Sequence, residues 1–466
     1  MKILKRVLIG LVVLILVLVG LVVLFIGPWP TYAARFEGKG YYEKALAAID
    51  ANVRESTITT SPGGLQAGWA ARPITPPKPG VPLAGYGDRH GAPSTGVHDD
   101  VYVKALALSD GVDTAVLVGA DLLIVPENVA ELVRADVAKR TPLTANNLYF
   151  GASHTHSSVG AFGPGYAAKA FGGKYDPDIP PFLTKAFADA IVEAYETMKP
   201  ARLAHGSVDA PEYIRNRTRN APVDAELSYL VVEQDGGGRC VLVSYSAHPT
   251  VLSGRNMECS AEYPGYLQRA IESTGAFAMY LGGALGSMGH RAPEGSDGFA
   301  RAKAMGEGLA QRVSENMKQL SFESNLDVVS AGVPLDLPPL QVRIRSTKWR
   351  LSKFVGPLVG IDADGWMQGI RVGNVVFVGV PCDFSGEISV KWKEAAAKAG
   401  LDLWATSFSG DYAGYVSPDQ YYGEVTDEKG NTEYETGLMS WTGPHQEAYF
   451  TALKDHLLAA LTGRPA

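Results

Sequence analysis

The chain has 466 residues, 46% of them hydrophobic, and a formal net charge of −7. This length and apolar content are enough for a large buried core. The negative charge argues against nucleic acid as a partner, because phosphate binding needs a basic surface. The sequence has three irregularly spaced cysteines, Cys240, Cys259 and Cys382. This number and spacing exclude a disulfide framework and a CxxC thiolate metal site, but they leave a single disulfide possible.

The N-terminus carries an apolar run long enough to cross a bilayer. Lys2, Lys5 and Arg6 precede the uninterrupted apolar residues 7–27. A transmembrane helix needs roughly 20 such residues, whereas the apolar region of a cleavable signal peptide has on the order of 7–15. We therefore predict an uncleaved single-pass membrane anchor, with a cleaved signal as the alternative. The basic residues stay in the cytoplasm, which places everything after Trp29 on the exported side, periplasmic or extracellular.

The rest of the sequence is predicted to form a short connection and one large domain. Residues 1–30 are the cytoplasmic tip and anchor, 31–64 a stalk and linker, and 65–463 the domain. Within the domain, strand-like segments alternate with segments of helical periodicity, which indicates an α/β fold. Two strands joined through Gly236 have hairpin spacing. The predicted fold class is therefore α/β, with mixed β-sheets flanked by helices.

The spacing of apolar residues and the turn residues that flank each segment predict the helices and strands of the chain. In chain order they are a helix at 42–53, strands at 101–108 and 115–125, a helix at 128–139, a strand at 147–151, a helix at 182–198, strands at 227–232 and 240–246, a helix at 263–273, a strand at 277–281, a helix at 299–319, a strand at 375–381, a helix at 387–399 and a strand at 401–406.

Four of these strands lead to side chains that can bind a metal ion. The side chains are His154 and His156 after the strand at 147–151, His248 after 240–246, Asp383 after 375–381, and Tyr415 after 401–406. Open α/β proteins bind ligands at the carboxyl ends of their strands. Catalytic zinc sites use three protein ligands and leave a position for water. We therefore predict one site assembled from distant parts of the sequence.

His154 and His248 are the best candidates for imidazole ligands. His156 follows His154 by two residues, which turns both rings the same way if the strand continues. One ring can then be a ligand and the other a proton donor or substrate contact. The alternative for each is a structural histidine that is satisfied by local hydrogen bonds.

The acidic ligand is open between Asp383 and Glu387, which share a helix face if the helix starts early enough. The alternative for Asp383, favoured on local sequence, is a helix N-cap. Tyr412 and Tyr415 lie in Asp-Tyr-Ala-Gly-Tyr, and tyrosine ligates poorly unless a metal lowers its pKa of about 10. An arginine of the short basic cluster Arg215-Asn-Arg217-Thr-Arg219 can bind a substrate oxygen or a developing oxyanion, or the cluster can simply be solvated.

The segment 282–290, Gly-Gly-Ala-Leu-Gly-Ser-Met-Gly-His, is rich in glycine. It lacks the Gly-Lys-Ser/Thr ending of a phosphate loop. It is also one spacer residue short of the Gly-x-Ser-x-Gly elbow of serine hydrolases. We expect its glycines to let the backbone approach a ligand closely.

Taken in order, these motifs resemble the neutral/alkaline non-lysosomal ceramidase family in its N-terminal catalytic domain. The segments that carry the resemblance are Ile74-Thr-Pro-Pro, Leu83-Ala-Gly-Tyr-Gly, Gly96-Val-His-Asp, Ser153-His-Thr-His-Ser, Asn216-Arg-Thr, Ala247-His-Pro-Thr, Val380-Pro-Cys-Asp-Phe, Asp411-Tyr-Ala-Gly-Tyr-Val and Gly443-Pro-His. The resemblance implies a zinc amidase that cleaves the N-acyl bond of ceramide or a related lipid.

The resemblance also implies the role of each site residue. Its zinc ligands are His154, His248, Asp383 and Tyr415, while His156 contacts substrate and Arg217 lies near the reaction centre. The family has glutamate at the position of Asp383, which makes Glu387 the fallback ligand. The family's catalytic serine falls on Gly289 and its aspartate on Ser287, so that either Ser287 or His290 substitutes or zinc-bound hydroxide acts alone.

We therefore expect a membrane-anchored zinc amidase whose substrate is a ceramide-like N-acyl lipid. The missing family serine motivates an alternative, a catalytically impaired protein that binds a lipid or glycan or acts as a scaffold. A third hypothesis is a hydrolase of another acyl amide or ester, because the altered segment 282–290 can reshape the pocket.

Overall fold

Helices and strands alternate through the domain in the computed structural model, which describes residues 2–55, 64–344 and 346–463. The helices are α1 Lys2–Phe25, α2 Gly40–Glu55, α3 Glu127–Arg140, α4 Tyr166–Gly172, α5 Ile179–Glu196, α6 Glu262–Glu272, α7 Gly298–Asn316, α8 Gly386–Lys398 and α9 Gln446–Thr462. The apolar stretch Ile3–Phe25 of α1 has a mean hydropathy of 3.6, and its large apolar side chains are exposed.

The strands are of two kinds, long ones that build two sheets and short ones that pair locally. They are β1 Ile26–Gly27, β2 Gln66–Pro73, β3 Gly96–Val97, β4 Tyr102–Ser109, β5 Thr114–Ala120, β6 Leu148–Ala152, β7 Lys199–Asp209, β8 Ile214–Asn216, β9 Glu226–Gln234, β10 Arg239–Tyr245, β11 Glu258–Cys259, β12 Phe277–Gly282, β13 Met288–His290, β14 Val328–Asp336, β15 Arg350–Leu351, β16 Asp364–Val372, β17 Val375–Val380, β18 Asp383–Phe384, β19 Asp402–Ser407 and β20 Tyr415–Val416.

Two mixed sheets form the centre of the domain. The larger has eight strands in the order β12-β10-β9-β7-β2-β4-β5-β6, and the smaller has four in the order β14-β16-β17-β19. Parallel pairs occur between β5 and β6, β10 and β12, and β17 and β19, and the other pairs within these two sheets are antiparallel. The predicted α/β class with mixed sheets is confirmed.

The two sheets pack face to face with helices on both outer sides. Leu117 and Tyr149 of the large sheet share one apolar cluster with Phe377 and Trp404 of the small sheet. Helices α3 and α5 cover one half of the outer face of the large sheet, and α6 and α7 cover the other half. Helices α2, α8 and α9 cover the small sheet. Because both faces of each sheet are buried, its strands are apolar almost throughout.

The predicted elements of the domain are observed with small shifts at their ends, including the β9–β10 hairpin through Gly236. The helix expected in the connection forms as α2, and its Ala45, Ile49 and Val53 are buried against the small sheet. Residues 56–63 of the predicted linker lie outside the described residues. The three cysteines are buried, and each is free of a disulfide.

The topology brings four strand ends to one place. Strands β6, β10, β17 and β19 are each followed by a loop that carries one or more of the predicted site residues. The short parallel pair β18–β20 sets Asp383 directly opposite Tyr415. The predicted convergence at the carboxyl ends of the strands is therefore observed.

Candidate metal centre

Three histidine side chains meet with their Nε2 atoms facing one another. Nε2 of His154 lies 3.1 Å from Nε2 of His248 and 3.2 Å from Nε2 of His156. The third edge, between His156 and His248, is 3.1 Å. Among the described residues these three histidines form the one group of His, Cys, Asp or Glu side chains close enough to share an ion.

The protonation of two of these rings follows from their neighbours. Nδ1 of His154 lies 2.6 Å from the carbonyl oxygen of Leu123, and Nδ1 of His248 lies 3.3 Å from that of Leu285. A carbonyl can only accept a hydrogen bond, so each Nδ1 carries the proton and donates it. Nε2 of each of these two rings is then unprotonated, and its lone pair faces the other imidazole nitrogens.

Burial keeps the rings neutral and makes this arrangement unfavourable without a cation. Burial lowers the pKa of His154 to about 3, and it lowers the pKa values of His156 and His248 well below the ordinary range. The unprotonated Nε2 atoms of His154 and His248 lie 3.1 Å apart and repel one another, because neither can donate a hydrogen bond to the other. A metal ion bound to all three rings would satisfy them.

The spacing of the nitrogens suits a small divalent ion. Tetrahedral ligands at the zinc–nitrogen distance of ~2.0–2.1 Å lie ~3.3–3.4 Å from one another. The observed edges of 3.1–3.2 Å agree within a few tenths of an ångström. Imidazole donors also suit copper, iron and nickel, so the geometry alone leaves the identity of the metal open.

The backbone around His154 is shaped to aim its ring. His154 has a φ of +63°, a left-handed conformation uncommon for residues other than glycine. Its ring stacks on Phe408 with centroids 4.3 Å apart. Gly85 leaves room for the neighbouring ring, because a Cβ there would lie 2.6 Å from Cγ of His156. Backbone strain of this kind is typical of functional sites.

Asp383 brings a carboxylate to the histidines. Its Oδ1 lies 3.4 Å from Nε2 of His154 and has no hydrogen-bond partner among the described residues. Its Oδ2 accepts a hydrogen bond of 2.7 Å from the hydroxyl of Tyr412. Burial raises the pKa of Asp383 to about 7. An orphaned carboxylate oxygen beside three lone pairs is a further sign of a cation position.

The alternatives for the acidic residue are resolved by the fold. Asp383 lies in β18 and does not cap α8, because Ser385 is the N-cap and its side chain accepts the backbone N–H of Glu387. The carboxylate of Glu387 is engaged elsewhere, by Asn216 at 2.9 Å and Tyr421 at 2.8 Å. Of the two candidates, Asp383 is the one placed at the histidines.

Arg217 and Tyr415 form a second polar group beside the histidines. Nη2 of Arg217 donates to the hydroxyl of Tyr415 at 3.2 Å and to the carbonyl of Gly286 at 2.7 Å. Its Nε donates to Glu435, a fully buried carboxylate, at 3.0 Å. The hydroxyl of Tyr434 also donates to Tyr415. Arg217 is thus held rigidly, with its charge directed toward the site.

Ser287 and His290 are placed differently from the other predicted residues. The hydroxyl of Ser287 is buried 2.9 Å from that of Ser385. His290 ends β13, and its backbone pairs with Ile214. Neither side chain lines the cavity above the histidines. The structure brings together His154, His156, His248, Asp383, Tyr415 and Arg217, and it leaves Ser287 and His290 outside this group.

The glycines of the segment 282–290 allow close approach to protein backbone. A Cβ on Gly286 would lie 2.6 Å from the carbonyl oxygen of Asp383, so this glycine lets the segment pack against β18. The N–H of Gly286 donates to the carbonyl of Phe384 at 2.7 Å. Gly289, at the position of the family serine, lies beside Arg217, whose Cβ would be 3.1 Å from an added Cβ.

A cavity of about 290 Å³ opens above this site and is mainly apolar. Its floor carries His154, His156, Asp383 and Tyr415. The rest of the lining includes four polar residues, Glu127, Asn128, Asp362 and Asp411, and a larger set of aliphatic and aromatic side chains: Leu123, Ile124, Phe162, Ala167, Ala168, Phe171, Met439 and Trp441. An apolar cavity with a few convergent polar groups at its base is typical of a site for a small molecule with a hydrocarbon portion.

Comparison with known proteins agrees with this geometry. Residues 65–283 match the model of the family described as neutral/alkaline non-lysosomal ceramidase, N-terminal. This region, a little under half of the chain, is similar to that family. The match confirms the predicted resemblance, supports a hydrolase and includes all three histidines, but it ends before Asp383 and Tyr415.

Solved ceramidase structures share the fold over most of their length. Neutral ceramidase from Pseudomonas aeruginosa superposes with a TM-score of 0.74 at 18% identity, covering 88% of this chain and 76% of that chain. A ceramidase complexed with C2 superposes with a TM-score of 0.75 at 17% identity, covering 87% and 76%. A search of curated proteins finds no match.

Several residues of the site were not predicted from the sequence. Tyr434 and Glu435 lie in an irregular segment with no strand before them, so no periodic signal marks them. Phe408 carries no polar group, and the carbonyl of Leu123 belongs to the backbone. A buried glutamate must have a partner, but sequence alone does not reveal that Glu435 is buried.

Proposed function

We propose that this protein is a membrane-anchored, zinc-dependent amide hydrolase that cleaves the N-acyl bond of ceramide or a related N-acyl lipid. The observation that carries the proposal is the meeting of three neutral imidazole nitrogens and an orphaned carboxylate oxygen at the base of an apolar cavity. The family match over residues 65–283 supports the reaction class.

The proposed metal ligands are His154, His248, Asp383 and Tyr415, and His156 is close enough to be a ligand as well as a substrate contact. Bound zinc would lower the pKa of water to about 7 and polarise a carbonyl oxygen. Asp383 would contribute the negative charge that offsets part of the charge of a divalent ion. The hydrogen bonds from His154 and His248 to backbone carbonyls fix their orientation.

The chain's own residues supply the remaining functions. Arg217 is fixed by Glu435 and by the carbonyl of Gly286, so its positive charge is preorganised for the oxygen that becomes negative during amide cleavage. His156 and Tyr415 line the cavity, and their proposed role is to exchange protons with the substrate. The apolar walls would hold an acyl chain and exclude bulk water from the polar base of the cavity.

The N-terminal helix supports the membrane part of the proposal. It is long and apolar enough to span a bilayer, and basic residues precede it. We propose that it anchors the protein and leaves the domain on the exported side. A lipid amidase held at a bilayer meets its substrate in two dimensions, so an anchor suits this substrate class.

The proposal is tested by measuring metal content and lipid cleavage in the same full-length preparation. Elemental analysis should find near-stoichiometric zinc, and fatty acid should be released from an N-acylsphingosine. His154→Ala and His248→Ala should lose both the metal and the activity. His456→Ala is the matched control, because His456 pairs with Asp50 on the far side of the small sheet.

The second candidate is a ceramidase-like protein that binds a lipid or glycan without cleaving it. The observation that favours it is the burial of Ser287 against Ser385, which leaves the cavity without a nucleophilic serine. Binding of N-acylsphingosine without release of fatty acid in the zinc-loaded protein would support this candidate. Release from simple esters or N-acyl amino acids alone would instead indicate a hydrolase with a different substrate.

A further inference from the structure

The anchor helix ends directly against the domain. Strand β1, the two residues after α1, pairs antiparallel with β15, so that Ile26 lies opposite Leu351. The backbone N–H of Ser352 donates to the carbonyl of Phe25 at 2.9 Å, and Arg350 donates to the carbonyl of Trp29 at 2.8 Å. The exported end of the apolar helix is therefore fixed to the segment that begins at residue 349.

The same segment leads into the wall of the active-site cavity. Leu351 packs against the apolar cluster that contains Tyr415 and Trp441, two residues that also line the cavity. Nine residues further on, Gly360 lines the cavity itself, beside the backbone of Gly165. The end of the anchor and the mouth of the cavity are thus joined by one short stretch of chain.

Large apolar side chains project from this stretch into the surroundings. Phe354 is 72% exposed, Leu358 is 73% exposed and Trp349 is 45% exposed. Tyr166 is 71% exposed at the start of α4, whose Ala167, Ala168 and Phe171 line the cavity. A cluster of exposed apolar and aromatic residues marks an interaction surface. Trp and Tyr are also the residues that concentrate at the boundary between membrane and water.

We propose that residues 349–360 and Tyr166 form an interfacial surface that sits in the headgroup region of the bilayer crossed by α1, so that the cavity opens toward the lipid leaflet. The inference rests on the anchoring part of the proposed function and is independent of catalysis. The occupant is a lipid surface because the hydrogen bonds of Phe25 and Ser352 place the interfacial surface at the depth where the apolar helix ends. A substrate with two hydrocarbon chains could then enter from the leaflet without crossing water.

The test uses the full chain in nanodiscs of phosphatidylcholine and phosphatidylglycerol. Phe354→Cys and Leu358→Cys are each labelled with an environment-sensitive fluorophore, and the three native cysteines are buried and free. Val112→Cys is the matched control, an exposed apolar residue in the β4–β5 turn at the opposite end of the large sheet. We expect doxyl groups near the lipid headgroup to quench the probes at 354 and 358 and to leave the probe at 112 unquenched.

Equal and weak quenching at all three positions would overturn the proposal. The proposal would also be overturned if the emission of the probe at 354 were blue-shifted but not quenched by doxyl-labelled lipid. In that case a second copy of the chain or another protein, rather than lipid, would cover the surface. These outcomes do not depend on amidase activity, so the inactivity of the enzyme would leave the quenching result interpretable.

A kinetic measurement provides a second test of the interfacial surface. Phe354→Ser with Leu358→Ser removes exposed side chains and should leave the fold intact. We expect the apparent KM for N-acylsphingosine embedded in the nanodisc to rise roughly a hundredfold, since the burial of each of the two side chains is worth about tenfold. The kcat for a short-chain substrate in detergent should stay unchanged. An unchanged KM in the bilayer would contradict the proposal.

Discussion

The room that Gly85 leaves for His156 provides a sharp test of the metal centre. A Cβ at residue 85 would lie 2.6 Å from Cγ and Nδ1 of His156 and 2.7 Å from its Cβ. Carbon atoms in contact are normally ~3.5–4.0 Å apart. In Gly85→Ala the imidazole must therefore move by about 1 Å, which exceeds the few tenths of an ångström that a metal site tolerates.

Backbone strain must be separated from this displacement. Gly85 has a φ of +115°, so an alanine there is strained even before it meets the ring. Gly236 has a φ of +101° and nothing within 4 Å of an added Cβ. Gly236→Ala therefore carries similar strain without a displaced histidine. Each substitution should cost about 1–2 kcal/mol of folding free energy from strain.

Zinc affinity should distinguish the two variants. Loss or misplacement of a group that holds a metal typically costs 10–100-fold in affinity, about 1.4–2.7 kcal/mol. We expect this loss in Gly85→Ala and an unchanged affinity in Gly236→Ala, measured by competition with a chromophoric chelator. Thermal melts of both proteins would show that each is folded. Equal zinc affinity in the two variants would refute the role of His156 at the ion and the reasoning from the three nitrogens.

Three further predictions concern residues around the site and the sheet edge. Ser287→Ala should retain most of the hydrolytic activity, because its hydroxyl bonds to Ser385 outside the cavity; loss of activity with zinc retained would show that Ser287 is catalytic. Glu435→Gln should lower stability by about 1–3 kcal/mol and lower kcat, because it removes the carboxylate that pairs with the partly buried charge of Arg217, and a thermal melt together with kcat at saturating substrate checks both. The hydrogen bond with Asp402 raises the pKa of His205. The protonated pair contributes at most about 1 kcal/mol to the stability of the fold, because it is partly exposed. This contribution is complete below pH ~6.5 and is lost as the pH rises through the folded-state pKa. The difference in melting temperature between the parent protein and His205→Asn should accordingly shrink as the pH rises above about 6.5, and a constant difference would contradict this assignment.

The site residues that could be predicted from the sequence are those that directly follow an apolar strand. The strands before His154, His248 and Asp383 are apolar over most of their length because both faces of each sheet are buried. Such runs are easy to recognise, and the residue that follows each run lies at a known edge of a sheet. This is why the convergence of distant ligands could be predicted without a structure.

The sequence was least informative where the deciding contact is made by backbone or by an irregular loop. Local sequence favours an N-cap role for Asp383, because an aspartate shortly before a helix commonly caps it. The choice was decided by the parallel pairing of Asp383 with Tyr415, some thirty residues away, and by Ser385, which caps the helix instead. Tertiary pairing of this kind leaves no local signal.

The shorter acidic side chain illustrates how packing can offset a lost methylene group. Asp383 reaches to 3.4 Å from Nε2 of His154 although the related family carries glutamate at this position. Two contacts hold its strand close to the site: Gly286, which has no side chain, packs against the carbonyl of Asp383, and the N–H of Asp383 donates to Gly414 at 2.9 Å. A side chain at residue 286 would push β18 away from the histidines. The glycine-rich segment and the aspartate therefore belong to one arrangement, in which close backbone packing brings a short carboxylate to the ion.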